Sequence, residues 1–98
     1  MIRFLITYET KPGSRSAFIE AARPCIEATR DEPGCLTFDL MASTLDDNTL
    51  TLIEGFETQV ALDRHMKQPH TEAFVEATLP LIMSRKTEII GPDPREWI

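Results

Sequence analysis

Basic charge is scarce in this chain of 98 residues: ten Lys and Arg stand against sixteen Asp and Glu, for a net charge of −6, and only three of the ten are lysines. Nucleic-acid affinity depends on clustered Lys and Arg displacing counterions. Here the basic residues are scattered, so no nucleic-acid partner is expected. Long apolar runs are lacking as well. No window approaches the roughly 20 apolar residues of a membrane span, so no membrane partner is expected either. The apolar start, Met1-Ile2-Arg3-Phe4-Leu5-Ile6-Thr7, has no basic n-region, no adequate h-region and no small-residue cleavage site, and it reads as a strand instead of a leader. Cysteine is down to two, Cys25 and Cys35, at a spacing that fits neither CxxC nor a metal-ligand pattern. The expectation is a cytoplasmic protein with both thiols reduced and inert.

What is present suits one domain, with a core over about residues 2–90 and a tail over 91–98. A hydrophobic content of 42% in 98 residues is near the size at which a single core is adequate but not generous, so self-association is expected. The chain is organised around Glu32-Pro33-Gly34-Cys35-Leu36. Pro33 fixes its own φ and pushes Glu32 out of the helical region, while Gly34 allows the positive φ of a reversal. A helix must stop there. The run after it alternates with period two, which puts Leu36, Phe38 and Leu40 on one face of a strand and Cys35, Thr37, Asp39 and Met41 on the other.

The remaining elements follow from similar signals. Ile2 to Tyr8 is a first strand, with Ile2, Phe4, Ile6 and Tyr8 on one face. Ser14 is placed to cap a helix that runs to about Thr29 on a stripe of Phe18, Ala21, Ala22, Cys25 and Ile26, with a kink at Pro24. Leu45-Asp46-Asp47-Asn48 supplies a hairpin connection, and Thr49 to Phe56 a third strand. One face of that strand reads Leu50, Leu52, Glu54, Phe56. An ionised Glu54 in a buried row needs a cation, several donors or a raised pKa.

Thr58 caps a short helix, Gln59 to Lys67. Pro69 separates it from a longer one, His70 to about Arg85, bent at Pro80. Lys86 to Ile90 is a short fourth strand, stopped by Gly91-Pro92-Asp93-Pro94, and Trp97 is expected to dock on a second subunit. The order gives an α+β fold, a βαββαβ ferredoxin-like sandwich with helices on one sheet face. Leu5, Ile53 and Met41 on the other face suggest a homodimer closed sheet to sheet.

The series Lys11-Pro12-Gly13, Phe18, Glu32-Pro33-Gly34-Cys35-Leu36, Phe38, Glu54, Phe56, Ala61, His65, His70 and Phe74 resembles the antibiotic biosynthesis monooxygenase superfamily, over residues 2 to about 90. The resemblance implies a dimeric α+β barrel with a pocket between each sheet and its own helices. Many members are implied to oxidise quinols, anthrones or related phenols with O₂ and without metal or flavin. The haem-degrading branch relies on an Asn, a Trp and an iron-ligating His, where this chain carries Ile6, His65 and Val75. The chain looks more like the bacterial quinol-monooxygenase-like branch, and no cofactor is expected.

Cofactor-free oxygenation needs a base that converts the substrate into an electron-rich anion, and a dry cavity around it. Imidazole is substantially neutral near pH 7, which makes His65 the candidate base. Glu54 is expected to fix its tautomer or share its proton. Phe38, Phe56 and Phe74 would wall a pocket for a flat aromatic or quinone-like molecule, with Tyr8 as a polar tip and His70 as a further contact. Pro69 breaks the helix between the histidines, which argues against an iron site of His65, His70 and Glu54. The same His and Glu could serve an isomerase acting on a small dione or sugar-phosphate-like substrate. A non-catalytic module that binds a small ligand is the third reading.

Overall fold

In the computed structural model, which describes residues 1–90, the alternating segments form one four-stranded antiparallel sheet in the order β2-β3-β1-β4. The elements are β1 (Ile2–Thr10), α1 (Arg15–Arg30), β2 (Cys35–Ala42), β3 (Thr49–Phe56), α2 (Gln59–Met66), α3 (Pro69–Thr78), a 3₁₀ turn (Leu79–Leu81) and β4 (Ile82–Ile90). This is the ferredoxin-like α+β arrangement expected from the element order. β1 and β3 pair in one unbroken register from Ile2↔Phe56 to Glu9↔Thr49 and form the spine of the sheet.

The core lies between one face of this sheet and the helices. Leu50, Leu52, Glu54 and Phe56 are all buried, as the period of β3 requires. α1 lays Phe18, Ala22, Cys25 and Thr29 on them at helical spacing. Phe18 and Phe56 are fully buried, each contributing about 1.5–3 kcal/mol of transfer free energy. Tyr8, Phe18 and Phe74 interlock with centroid separations of 4.8, 5.9 and 6.3 Å, two of the three pairs edge to face.

Local chemistry departs from expectation at several points. Ser14 already has helical dihedrals and makes no side-chain cap; its carbonyl accepts from Phe18 N at 2.9 Å instead. α1 holds Pro24 inside it, as expected. Pro24 and Glu20 are both exposed, so water can serve the carbonyl that the proline leaves without a donor. In β2 a bulge intervenes: Cys35 pairs with Phe56 and Thr37 with Gly55, leaving Leu36 unpaired and 48% exposed. Leu36 therefore leaves the Phe38 row, and Cys35 packs against the core.

The last helix is shorter than expected, and Ile82 to Arg85 belong to a longer β4. Pro80 cannot donate within a helix, so α3 closes in the 3₁₀ turn. Ile82, Ser84 and Arg85 pair with Thr10, Glu9 and Tyr8 of β1, and those ladder bonds outweigh the local helical pattern. Thr58 does cap α2, accepting from Ala61 N at 3.2 Å. The sheet face turned away from the helices, uncovered among the described residues, carries Leu5 and Ile53, partly buried and directly paired, and Met41, 47% exposed. The turn Gly91-Pro92-Asp93-Pro94 and the docking of Trp97 lie outside the described residues.

Candidate active site

The helix-stopping turn is also what builds the site. Gly34 has φ +83°, and a Cβ there would stand 2.7 Å from the Ala61 methyl. Glu57 N donates to Gly34 O at 2.8 Å, so the turn is docked on the start of α2 from two sides. His65 is one helical turn beyond Ala61 on the same face. Docking the turn therefore brings Glu32, two residues before Gly34, to the imidazole.

The resulting network is short and buried. His65 Nδ1 lies 2.9 Å from Glu32 Oε2, and His70 Nε2 lies 2.7 Å from the same oxygen. The His65 side chain is 3% exposed and that of Glu32 7%. Thr71 donates from Oγ1 to the His65 carbonyl at 2.7 Å, which locks the α2–α3 junction on the histidine. Burial pushes the Glu32 carboxyl up, but the hydrogen bonds and charges of His65 and His70 together outweigh it and hold the group below its usual range. An ionised Glu32 accepts from His65 Nδ1–H, which leaves the lone pair of His65 on Nε2.

Nε2 points to a second carboxyl. Glu54 Oε1 is 3.8 Å away, beyond hydrogen-bonding range. Burial first, and then the negative charge of Glu32, push the Glu54 carboxyl up to about 8. Glu54 is therefore protonated near neutrality, and its contact with His65 is not an ion pair. Two carboxyls within reach of one imidazole thus hold opposite protonation states, the pattern that separates acid from base roles.

His65 and Glu54 line a cavity of about 70 Å³, together with Tyr8, Phe38, Phe74 and Arg85. Burial, then the charge of Glu54, pushes the Tyr8 phenol well up, so it stays a hydrogen-bond donor. Phe38 and Phe56 flank the His65 ring at centroid distances of 5.2 and 5.1 Å.

The expected site residues thus divide. Tyr8, Phe38, Glu54, His65 and Phe74 share the cavity. Phe56 is buried behind the imidazole and does not line it; His70 reaches Glu32 and not the cavity. The tautomer-setting carboxylate is Glu32, not Glu54, because the turn delivers it to Nδ1 while Glu54 faces Nε2 at longer range. The Pro69 break does not separate the histidines but turns α3 so that both meet one carboxylate. Sequence pattern alone does not mark Glu32, Thr71 or Arg85 as site residues. The one signal for Glu32 is its place in the turn around which the chain is organised. Among the described residues, Glu32, His65 and His70 are the group that could hold a metal ion, one ligand atom from each lying within 4.8 Å of the others.

Comparison with known proteins agrees with this architecture. Residues 1–77 match the family model described as antibiotic biosynthesis monooxygenase. An uncharacterised protein of Synechocystis sp. is 31% identical over 81 residues, which are 83% of this chain and 54% of that protein, so the chain spans about half of that relative's length. A Mycobacterium tuberculosis protein named "Putative monooxygenase Rv0793" is 33% identical over 69 residues, 70% of this chain and 67% of its own. Its solved structure superposes with a TM-score of 0.85 at 27% identity, covering 94% of each chain. A solved structure from Nitrosomonas europaea reaches a TM-score of 0.89 at 26% identity, covering 93% of this chain and 97% of the other.

Proposed function

Because the chain belongs to the antibiotic biosynthesis monooxygenase family, we propose that it is a monooxygenase that oxidises a small quinol or polyphenol with O₂, using His65 as base. The observation that carries this reading is the His65 imidazole, held at Nδ1 by Glu32 at 2.9 Å with Nε2 turned toward protonated Glu54 in a walled cavity. Drug-sized pockets run to roughly 300–1,000 Å³. A cavity of about 70 Å³ restricts the substrate to a single small ring system.

In this reading the substrate hydroxyl gives its proton to His65 Nε2, and Glu32 stabilises the imidazolium. The phenolate transfers one electron to O₂, and the two radicals combine into a carbon–oxygen bond. Glu54 then protonates the distal oxygen; the O–O bond breaks as the proton on the oxygenated ring carbon passes back to the Glu54 carboxylate, and the departing hydroxide takes the proton held on His65 and leaves as water. A quinol with the formula C₆H₆O₂ plus O₂ yields hydroxyquinone C₆H₄O₃ plus water, so the substrate supplies all four electrons. Tyr8 donates a hydrogen bond to a substrate oxygen, and Phe38 and Phe74 exclude water. The proposed working unit is a homodimer that closes over Leu5 and Ile53.

The test is O₂ uptake by the protein, stripped of metal, against a panel of small quinols. Uptake above autoxidation that His65→Ala abolishes is the expected result; equal rates in the two proteins would sink the reading. The acid–base pair of Glu54 and His65 also suits a proton-transfer isomerase, which would turn over without O₂. Anaerobic turnover of a dione would transfer the assignment there.

A further inference from the structure

The second oxygen of Glu32 has no role in the chemistry above. Glu32 Oε1 is buried and has no hydrogen-bond partner among the described residues, and the carboxylate that carries it is only 7% exposed. An unpaired buried acceptor costs about 1–3 kcal/mol, and more when it is charged. A cation that takes both oxygens of the carboxylate removes that cost. The other oxygen already meets two imidazole nitrogens, at 2.9 Å from His65 Nδ1 and 2.7 Å from His70 Nε2, and all three ligand atoms lie within 4.8 Å of one another.

Ligand atoms held at about 2.0–2.1 Å from one ion stand roughly 2.9–3.4 Å apart as their angle opens from 90° to tetrahedral. The two separations to Glu32 Oε2, 2.9 and 2.7 Å, are within a few tenths of an ångström of that range, and the two ring nitrogens, within 4.8 Å of each other, have only to adjust around an ion. Two imidazoles and one carboxylate favour first-row transition ions over Mg²⁺ and Ca²⁺, which prefer all-oxygen shells. From the two histidines and the orphaned carboxylate oxygen we infer that Glu32, His65 and His70 form a site for a divalent transition-metal ion, which switches His65 off as a base when filled.

The switch follows from proton bookkeeping. The ion takes Nδ1 of His65, so the ring proton of the neutral imidazole moves from Nδ1 to Nε2. His70 makes the reverse change, its proton moving from Nε2 to Nδ1, and no proton is lost from either ring. Nε2 of His65 then presents a hydrogen to the cavity and has no lone pair for a substrate proton. This half of the inference rests on the proposed role of His65; the binding half does not.

Metal-free protein titrated with Co²⁺ and Zn²⁺ by calorimetry should bind one ion per chain, with a visible d–d absorption for Co²⁺ and no heat with Mg²⁺. His70→Gln, at a side chain 21% exposed, should raise the dissociation constant at least about tenfold, since even outer-shell partners contribute that much. Cys35→Ser should leave it unchanged. Histidine ¹⁵N resonances of the wild type should show Zn²⁺ on His65 Nδ1 and His70 Nε2, which needs no variant. Absence of binding, binding indifferent to His70→Gln, or unmoved histidine resonances would overturn the site. Zn²⁺ at a few times the wild-type dissociation constant should suppress quinol-dependent O₂ uptake in the wild type and suppress less of whatever uptake His70→Gln retains; unaffected wild-type uptake would overturn the switch. If the metal-free wild type oxidises no quinol, the oxygenase reading falls while the binding experiments still decide the site.

Discussion

Gly34 and Ala61 approach so closely that no side chain fits between them: a Cβ on the glycine would lie 2.7 Å from the Ala61 methyl carbon. The contact joins the end of the α1–β2 turn to α2, and it sets the distance between Glu32 and His65. Gly34→Ala adds left-handed strain to a clash that neither backbone can escape cheaply, for a loss on the order of 3 kcal/mol. Gly13→Ala is the control. Gly13 has φ +81°, but a Cβ added there would meet nothing within 4 Å, so strain alone acts. The loss there is about 1–2 kcal/mol. Urea unfolding of both variants checks this; equal losses would mean that the turn is not docked on α2.

Glu32→Gln keeps the shape of the side chain but removes the negative charge that stabilises an imidazolium at His65. Quinol oxidation should fall by roughly 10²-fold or more in kcat, with little change in KM, because the charge acts after proton transfer. Steady-state O₂ uptake separates the two parameters. A change confined to KM would assign Glu32 to substrate binding instead.

Glu54 makes stability depend on pH with a definite sign. Its folded-state pKa is raised to about 8 from an ordinary 4.5, by burial and by Glu32, so the folded protein holds the proton more tightly than the unfolded chain. Its contribution is fully present below about 4.5 and is lost as pH rises through about 8. Glu32, lowered in the folded state, acts in the opposite sense and at lower pH. The difference between wild type and Glu54→Gln isolates the first effect. Chemical denaturation of metal-free protein should find the variant gaining on the wild type across that window, by up to a few kcal/mol. A difference independent of pH would show that Glu54 is not buried as a neutral acid.

The β2 bulge distinguishes neighbours that periodicity alone would treat alike. Phe38, buried against His65, should cost about 3–5 kcal/mol on truncation to Ala. Leu36, turned out by the bulge and 48% exposed, should cost under about 1 kcal/mol on change to Ser in the monomeric fold. Unfolding midpoints at matched m-values check the contrast.

A dimer closed over the uncovered sheet face should dissociate when Ile53 becomes Asp, since the change puts a charge in the centre of the apolar pair with Leu5. Light scattering of wild type and variant reads the mass directly. A wild-type monomer at micromolar concentration would remove the dimer from the proposed working unit.

Much of the site is readable from local pattern. The row Leu50, Leu52, Glu54, Phe56 follows from period two, and a carboxyl in that row has to be perturbed wherever the strand is buried. The boundary between α3 and β4 is not readable, because Leu81 and Ile82 suit a helix and a strand equally; the ladder to β1 decides it. Glu32 is hidden for a similar reason. A glutamate before Pro-Gly reads as a solvated turn residue, and its partner is 33 positions away.

The sequence by itself determined the elements, the reversal at Pro33-Gly34 and the placement of one acid in an apolar row, because backbone sterics and side-chain period are local properties. Only the tertiary structure decided which carboxylate meets Nδ1 of His65 and which faces Nε2. That choice depends on the docking of one turn against one helix; it leaves Glu32 charged because two imidazoles hold it, and Glu54 neutral because burial first, and then the charge of Glu32, oppose its ionisation.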